Sequence, residues 1–360
     1  MALTTMGGSR RERVTAAAVG LLTAALVLAG CGSSDAPATE SEASPAGTAS
    51  SLVPEGEGTT QYPFTIETWA GSSVLEERPE RIAVIGFSPS WDALEAIGVT
   101  PVYIDTEDVY PFNDDAWAEN IELKDPNGYP LNLEAIASTD PDLIVAVNSV
   151  DAYKEDLDAL LDIAPVLETK ELAEAPDRLD WRIVQRLVGE ALDLSSAAED
   201  AIERAEDSVA AAAAAHPEFE GKTAAVAFDY AGYDLEYYNP TGSNAEGILE
   251  DLGFAPNPLS QTFAADAVVS NENIGQLNGD VLLMFYTDEA QRQARESMDV
   301  FQRIPAVAEG RYIPVIFQGT EGEPGLGAEW VLRQGASAVS LPLLIDFIAD
   351  TLAEGLQPNT

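Results

Sequence analysis

With 62 acidic residues against 18 basic ones, the 360-residue chain carries a net charge of −44, and it has one cysteine and one histidine. A field of that sign repels phosphate backbones, which excludes nucleic acid as a partner. A single histidine and a single cysteine cannot furnish the several N or S ligands of a protein-held zinc, manganese or copper ion, and the one histidine, His216, at the end of an alanine-rich helical stretch, is misplaced for a Ser-His-Asp triad.

The chain opens on Arg10, Arg11 and Arg13, followed by an uncharged, mostly apolar stretch over residues 14–28 and then by Leu28-Ala29-Gly30-Cys31. The stretch is shorter than the ~20 apolar residues of a membrane-spanning helix. A basic start, a short apolar run and small residues before a cut describe a secretory signal over residues 1–30. Cys31 sits where the lipidated cysteine of a bacterial lipobox sits, so a protein anchored to the extracytoplasmic face of the cell membrane is expected. Acylation consumes the one thiol and excludes disulfides within a monomer. Loss of three arginines and Glu12 with the signal removes +3 and −1, taking −44 to −46. Residues 31–60, rich in Ser, Ala, Pro, Gly, Thr and Glu, read as a disordered acidic tether.

Beyond the tether, apolar runs alternate with helical patterns. Strands are expected at residues 82–85, 102–104, 143–147 and 166–167, with helices at 91–97 and 151–163. A second series has strands at 224–228, 281–285 and 312–315 and helices at 245–252 and 288–301. Such alternation means α/β lobes with mainly parallel sheets, over residues 61–194 and 218–357. Between them, residues 195–216 hold ten alanines and neither Gly nor Pro. They read as one long linking helix (195–217 with its end), about 33 Å in length. Ser195 or Ser196 is its expected N-cap, Glu199 its capping-box acid, and His216 its last residue.

The two halves echo one another. Asn132-Leu133-Glu134-Ala135-Ile136 precedes Asp142-Leu143-Ile144-Val145, and Asn271-Glu272-Asn273-Ile274 precedes Asp280-Val281-Leu282-Leu283. Ala96-Ile97-Gly98-Val99-Thr100-Pro101 is matched by Asp251-Leu252-Gly253-Phe254-Ala255-Pro256. Each of those glycines is expected to close a helix before a return to the sheet. Two echoes in the same order point to two similar lobes.

Arg78-Pro79-Glu80-Arg81 with Ile82 to Ile85, the helix ending Ala96-Ile97-Gly98-Val99, and Leu133 to Ile136 before Pro141-Asp142-Leu143-Ile144 resemble the iron-siderophore and vitamin B12 binding lipoproteins of ABC importers. The resemblance runs from about residue 75 to 350 and includes the long helix. It implies two lobes joined by one rigid helix, a cargo cleft between them, and no enzymatic activity. It implies a ferric siderophore and an ABC importer permease as partners, with vitamin B12 or haem as the alternative cargo. It also implies no cofactor, since iron arrives only inside its chelator. By the same resemblance Glu134 and Glu272 match the carboxylates that dock on permease arginines. Read from residues alone, each is as well explained as an acid favoured at a helix start.

In parallel sheets ligands gather beyond the carboxyl ends of strands. Trp91, Tyr110, Tyr230, Tyr233 and Tyr286 follow strand ends, and Tyr237 belongs to an alternating Tyr237-Tyr238 pair of which one member faces a core. Arg182 beside Trp181, and Arg333 after Trp330, are candidate donors to chelate oxygens. For every aromatic the competing role is core packing, and for each arginine a surface ion pair. A trianionic tricatecholate complex calls for several converging cations. None is apparent, so a low-charge, hydroxamate-like complex is the expected cargo. The alternative of another class is a secreted acidic hydrolase using Asp105 with Glu107, or Asp114 with Asp115, as a carboxylate pair. No Gly-x-Ser-x-Gly, His-Glu-x-x-His or P-loop pattern accompanies them.

Overall fold

The computed structural model describes residues 51–68, 71–106, 109–110, 112–126, 130–147, 153–168, 180–317 and 325–357. The signal, Cys31 and Glu107 lie outside the described residues. After an antiparallel hairpin, β1 (Phe64–Thr68) and β2 (Gly71–Leu75), the first sheet contains β3 (Ile82–Val84), β4 (Tyr103–Ile104), β5 (Leu123–Lys124), β6 (Leu143–Val145) and β7 (Val166–Leu167). Its order is β5-β4-β3-β6-β7, parallel throughout. The second contains β8 (Ala224–Asp229), β9 (Leu235–Tyr237), β10 (Val281–Tyr286) and β11 (Tyr312–Ile316), ordered β11-β10-β8-β9, with only the edge strand β9 antiparallel.

Both sheets are covered on both faces, which is why their central strands are buried throughout and apolar up to the Asp229 that ends β8. In β8, Ala224, Val226 and Phe228 enter one core while Ala225 and Ala227 enter the other. In β3, Ile82 and Val84 are divided in the same way from Ala83. The repeated aspartates align neighbouring strands. Asp142 accepts hydrogen bonds from the backbone N–H groups of Glu80 (2.8 Å) and Arg81 (3.0 Å), and Asp280 accepts one from Thr223 (2.9 Å). The repeated glycines, Gly98 and Gly253, both have positive φ. At each, the N–H of the next residue reaches back five residues, Val99 to Leu94 and Phe254 to Leu249, closing the helix as expected.

The helices that shape the region between the sheets are α1 (Ser88–Glu95), α2 (Leu133–Ser138), α3 (Trp181–Ala191), α4 (Ser195–Ala215), α5 (Asn244–Asp251), α6 (Glu289–Glu296), α7 (Gly325–Trp330) and α8 (Ser340–Leu356). The linking helix α4 spans 21 residues, about 32 Å at 1.5 Å per residue. One stripe of it is buried, and the stripe serves two cores: Ala198 packs in that of the first sheet, and Ile202, Ala205, Val209 and Ala212 in that of the second. His216 ends the helix, stacked on Phe219 and within 3.2 Å of Glu218 and Asp350.

Three expectations need correction. The capping box on α4 does not form: Glu57 accepts the N–H groups of Ser196 and Ala197, while Glu199 pairs with Arg186 at 2.7 Å. The tether does not extend to residue 60, because Val53 is buried and Asp193 accepts the N–H groups of Gly58, Thr59 and Thr60. The helix expected over 288–301 breaks after Glu296, and a short second helix begins at Asp299. Among the described residues no single helix is long and apolar enough to cross a membrane.

Candidate functional site

The two sheets face each other through the segments that leave their carboxyl ends. Phe87 follows β3, Tyr110 follows β4, Tyr230 follows β8 and Phe317 follows β11. Tyr110 packs against the cores of both lobes. Its ring stacks on Phe112 (centroids 5.1 Å apart), on Trp330 (5.8 Å) and, more loosely, on Trp91 (6.4 Å). Phe87 stands edge-on to Trp330 at 5.3 Å. From the other lobe Tyr230 lies against Phe228 at 3.8 Å, with Tyr233 and Phe317 edge-on to it at 6.1 and 5.5 Å.

Buried polar groups hold these rings in place. Asn113 is the organiser on the first lobe. Its Oδ1 accepts the Tyr110 N–H (3.1 Å) and is 3.4 Å from the Trp91 indole nitrogen, while its Nδ2 donates to Asp92 (2.8 Å) and Glu95 (2.6 Å). Near the rings, Trp330 Nε1 donates across the lobes to Ser88 Oγ, and Ser337 Oγ to Asp92 Oδ2, both at 2.7 Å. Trp330 ends α7, and the chain continues into a π-helical turn, Val331–Gly335, a geometry frequent at functional sites. A Cβ on Gly335 would lie 2.0 Å from the Trp330 ring, so only glycine lets the indole fold over the turn. The same turn carries Arg333, whose guanidinium lies 5.9 Å from the Tyr238 ring centroid.

Burial governs the charge states here. Desolvation raises the hydroxyl pKa of Tyr110, Tyr230 and Tyr238, so all three stay protonated and able to donate. Burial also pushes the Glu329 carboxyl up to about 7 and the Asp92 carboxyl up to about 8. Among the described residues the site thus offers neutral phenol donors, the Arg333 guanidinium and stacked rings. That set suits a flat, weakly charged ligand bearing exposed oxygen acceptors. Among the described residues no group of three or more His, Cys, Asp or Glu side chains is arranged to hold a metal ion.

Of the residues singled out in the sequence, Trp91, Tyr110, Tyr230, Tyr233, Trp330 and Arg333 come together where the lobes meet. Trp91 is itself buried, beneath Tyr110, and Tyr233 stands 79% exposed at the rim. Three others do not join them. Tyr237 and Tyr286 are fully buried on the opposite face of the second sheet. There Tyr237 packs against Phe263, and the Tyr286 hydroxyl takes a hydrogen bond from Tyr312. Arg182 is committed to Glu206 of α4 (2.5 Å), Asp180 (3.4 Å) and Asp251 (3.5 Å), and it covers Trp181. Sequence reasoning missed Phe87, Phe317 and Glu329, the first two of which lie just beyond strand ends. It left open which of Tyr237 and Tyr238 faces the cleft, and Tyr238 is that member.

Glu134 is exposed in the first turn of α2, whose N-cap is Asn132. Glu272 is equally exposed, but it sits in the turn before a short 3-10 segment, Ile274–Gln276, so no α-helix start accounts for it. Of the carboxylate pairs considered for hydrolysis, Asp114 caps the helix Asp115–Glu119 by accepting from Trp117, and Asp105 accepts the Gly86 N–H.

The sequence pattern of the periplasmic binding protein family matches residues 86–314. A comparison with curated protein sequences finds no match. Among solved structures, a periplasmic solute binding protein of Mycobacterium smegmatis superposes with a TM-score of 0.64 at 22% identity, covering 81% of this chain and 98% of that one. Streptococcus pneumoniae PiaA in complex with ferrichrome gives 0.65 at 22% identity, with 81% and 98% covered. Staphylococcus aureus SirA complexed with staphyloferrin B gives 0.62 at 21% identity, with 82% and 99% covered.

Proposed function

We propose that this chain, which belongs to the periplasmic binding protein family, is the lipid-anchored cargo-capturing component of an ABC importer and that its cargo is a ferric siderophore of low charge. The observation that carries the reading is the convergence of Tyr110, Trp330, Tyr230, Tyr238 and Arg333 where the two lobes meet. Stacked rings supply contact area to a flat chelate, and phenol and guanidinium donors suit its hydroxamate oxygens. Structures of similar fold, PiaA with ferrichrome and SirA with staphyloferrin B, hold siderophores and support the class. Charge selects within the class. A ferric tricatecholate is formally trianionic, whereas a ferric trihydroxamate is close to neutral. Among the described residues one arginine, Arg333, stands among these rings, and the buried Glu329 acts with opposite sign on the same Tyr110 hydroxyl, so the site does not offset three negative charges.

Tryptophan-fluorescence titration with a ferric trihydroxamate and a ferric tricatecholate tests this. Trp330 lies in the site and reports binding, and tighter binding of the trihydroxamate is expected. Tighter binding of the tricatecholate removes the charge argument, and failure of both removes the siderophore reading. Anchoring through Cys31 places the protein on the extracytoplasmic face of the membrane, as a monomer delivering to a permease. Mass spectrometry of the cell-associated protein is expected to find acylated Cys31 as the first residue, and an unmodified Cys31 within a longer chain refutes the anchor.

A further inference from the structure

A second concavity adjoins the site on the far side of Arg333. It has a volume of about 260 Å³ and is lined by Tyr238, Arg333, Glu236, Asp266, Ser243 and Phe263, among others. Its size decides what it can hold. Pockets that enclose a whole drug-sized ligand run from about 300 to 1,000 Å³, so this one takes a part of a ligand and not an entire ferric complex.

Its lining carries two carboxylates against one guanidinium, that of Arg333. Glu236 and Asp266 both line it, and neither pairs with a basic side chain among the described residues. Arg333 forms the partition and is turned over the Tyr238 ring. A second, independent feature marks the same place: Tyr238 is 6% exposed, and its hydroxyl is buried without a hydrogen-bond partner. A buried hydroxyl left unpaired costs about 1–3 kcal/mol, a cost that an incoming polar group removes. The Glu236 charge reaches that hydroxyl as well, adding to the desolvation that keeps it protonated.

We infer that this pocket is a subsite for a pendant, positively charged arm of the cargo, a primary ammonium on a short chain, seated between the Glu236 and Asp266 carboxylates while the chelated iron stays among the rings on the other side of Arg333. The inference rests on the siderophore reading and adds to it the charge and placement of one part of the ligand. It also gives the acidity of the molecule a local use, since a cation approaching the site moves down a favourable field.

The test compares a linear ferric trihydroxamate ending in a free primary amine with the same complex acetylated on that amine, titrated against the purified protein and followed by tryptophan fluorescence. The free amine is expected to bind at least tenfold more tightly at 50 mM salt. Glu236→Gln with Asp266→Asn is expected to bring the ratio below twofold without changing affinity for the acetylated complex. Equal affinities in the unaltered protein, or a ratio that survives the double substitution, overturn the subsite while leaving the siderophore reading standing. Binding of neither complex overturns both. Circular dichroism of the double variant, expected to match the unaltered protein, separates loss of discrimination from loss of fold.

Discussion

Asp92 is a carboxyl with no exposed surface, held between lobes by Asn113 and Ser337. Burial raises its pKa from 3.8 to about 8. A folded-state value above the unfolded one means the native protein binds the proton more tightly. The stabilisation is therefore complete below about pH 4 and is lost as pH rises towards 8. Within that window one such group changes stability by up to about 1.4 kcal/mol per pH unit. Glu329 and Asp105, both raised to about 7, tilt stability the same way. Asp92→Asn keeps the shape of the protonated acid and cannot ionise. Its amide oxygen still accepts from Asn113, and its NH2 donates to Ser337. Urea midpoints taken between pH 4.5 and 8 are expected to fall less steeply for the variant, by about one proton's worth of slope. Identical slopes in the two proteins show that Asp92 does not carry the effect. At this scale the sequence was readable only in part. Alternation told that Tyr237 and Tyr238 face opposite ways but not which way. The phase is fixed by pairing of β9 with β8, Ala227 opposite Tyr237, and by Asn239, whose side chain bonds the backbone of Val226 and Ala224. Arg182 looked like a scarce cation available to a ligand. Its commitment depends on Glu206 and Asp251, 24 and 69 residues away in the chain.

The elements themselves were more legible than their ends. Strand positions and the rod follow from apolar runs and an alanine-rich stretch, because burial on two faces and a one-stripe helix leave direct marks on composition. Caps supplied from a distance leave none: the N-terminus of α4 is satisfied by Glu57, well over a hundred residues earlier. The corner between α3 and α4 depends on a close crossing that the sequence marks with a single glycine. A Cβ at Gly189 would stand 2.4 Å from the Ala198 Cβ and 3.1 Å from the Leu194 carbonyl oxygen. Neither neighbour is the tip of a flexible side chain, so the helices must separate. Gly189→Ala would raise helix propensity by about 1 kcal/mol if the position were open. Overpacking a tight contact costs about 1–3 kcal/mol, and here the clash is with a backbone-near atom. Net destabilisation of up to about 2 kcal/mol is expected in chemical denaturation, and a stabilised variant disproves the tight crossing. Because Ala198 is also where the rod joins the first core, the same variant is expected to loosen one lobe more than the other, visible as faster hydrogen exchange in residues 181–198 than in 202–215.

At the scale of the molecule, two similar lobes held by one helix, by direct hydrogen bonds between α1 and the segment around α8, and by a shared stack of rings leave little freedom for wide closure. Recognition of a loaded protein then falls to surfaces that both lobes present together. We propose that Glu134 and Glu272 serve there as docking carboxylates: they occupy matching places in the internal repeat, ahead of the strands β6 and β10, and both are exposed. The repeat was visible in the sequence because the aspartates that staple the strands recur with it, yet the exposure of Glu272 outside any helix was not. In a chain with 62 acidic residues, two particular surface carboxylates matter only through geometry, since the Debye length of about 8 Å at physiological salt screens the rest from a partner's arginines. Each exposed ion pair alone contributes about 0–1 kcal/mol. Two held at a fixed separation by a rigid body act as a bivalent contact, in which the second forms at a high effective concentration. Glu134→Ala or Glu272→Ala singly is therefore expected to slow cargo uptake by cells a few-fold, and the pair together to abolish it, with cargo affinity of the purified protein unchanged in all three variants. A tenfold loss of affinity places these residues in the cargo site, and normal uptake by the double variant removes them from docking altogether.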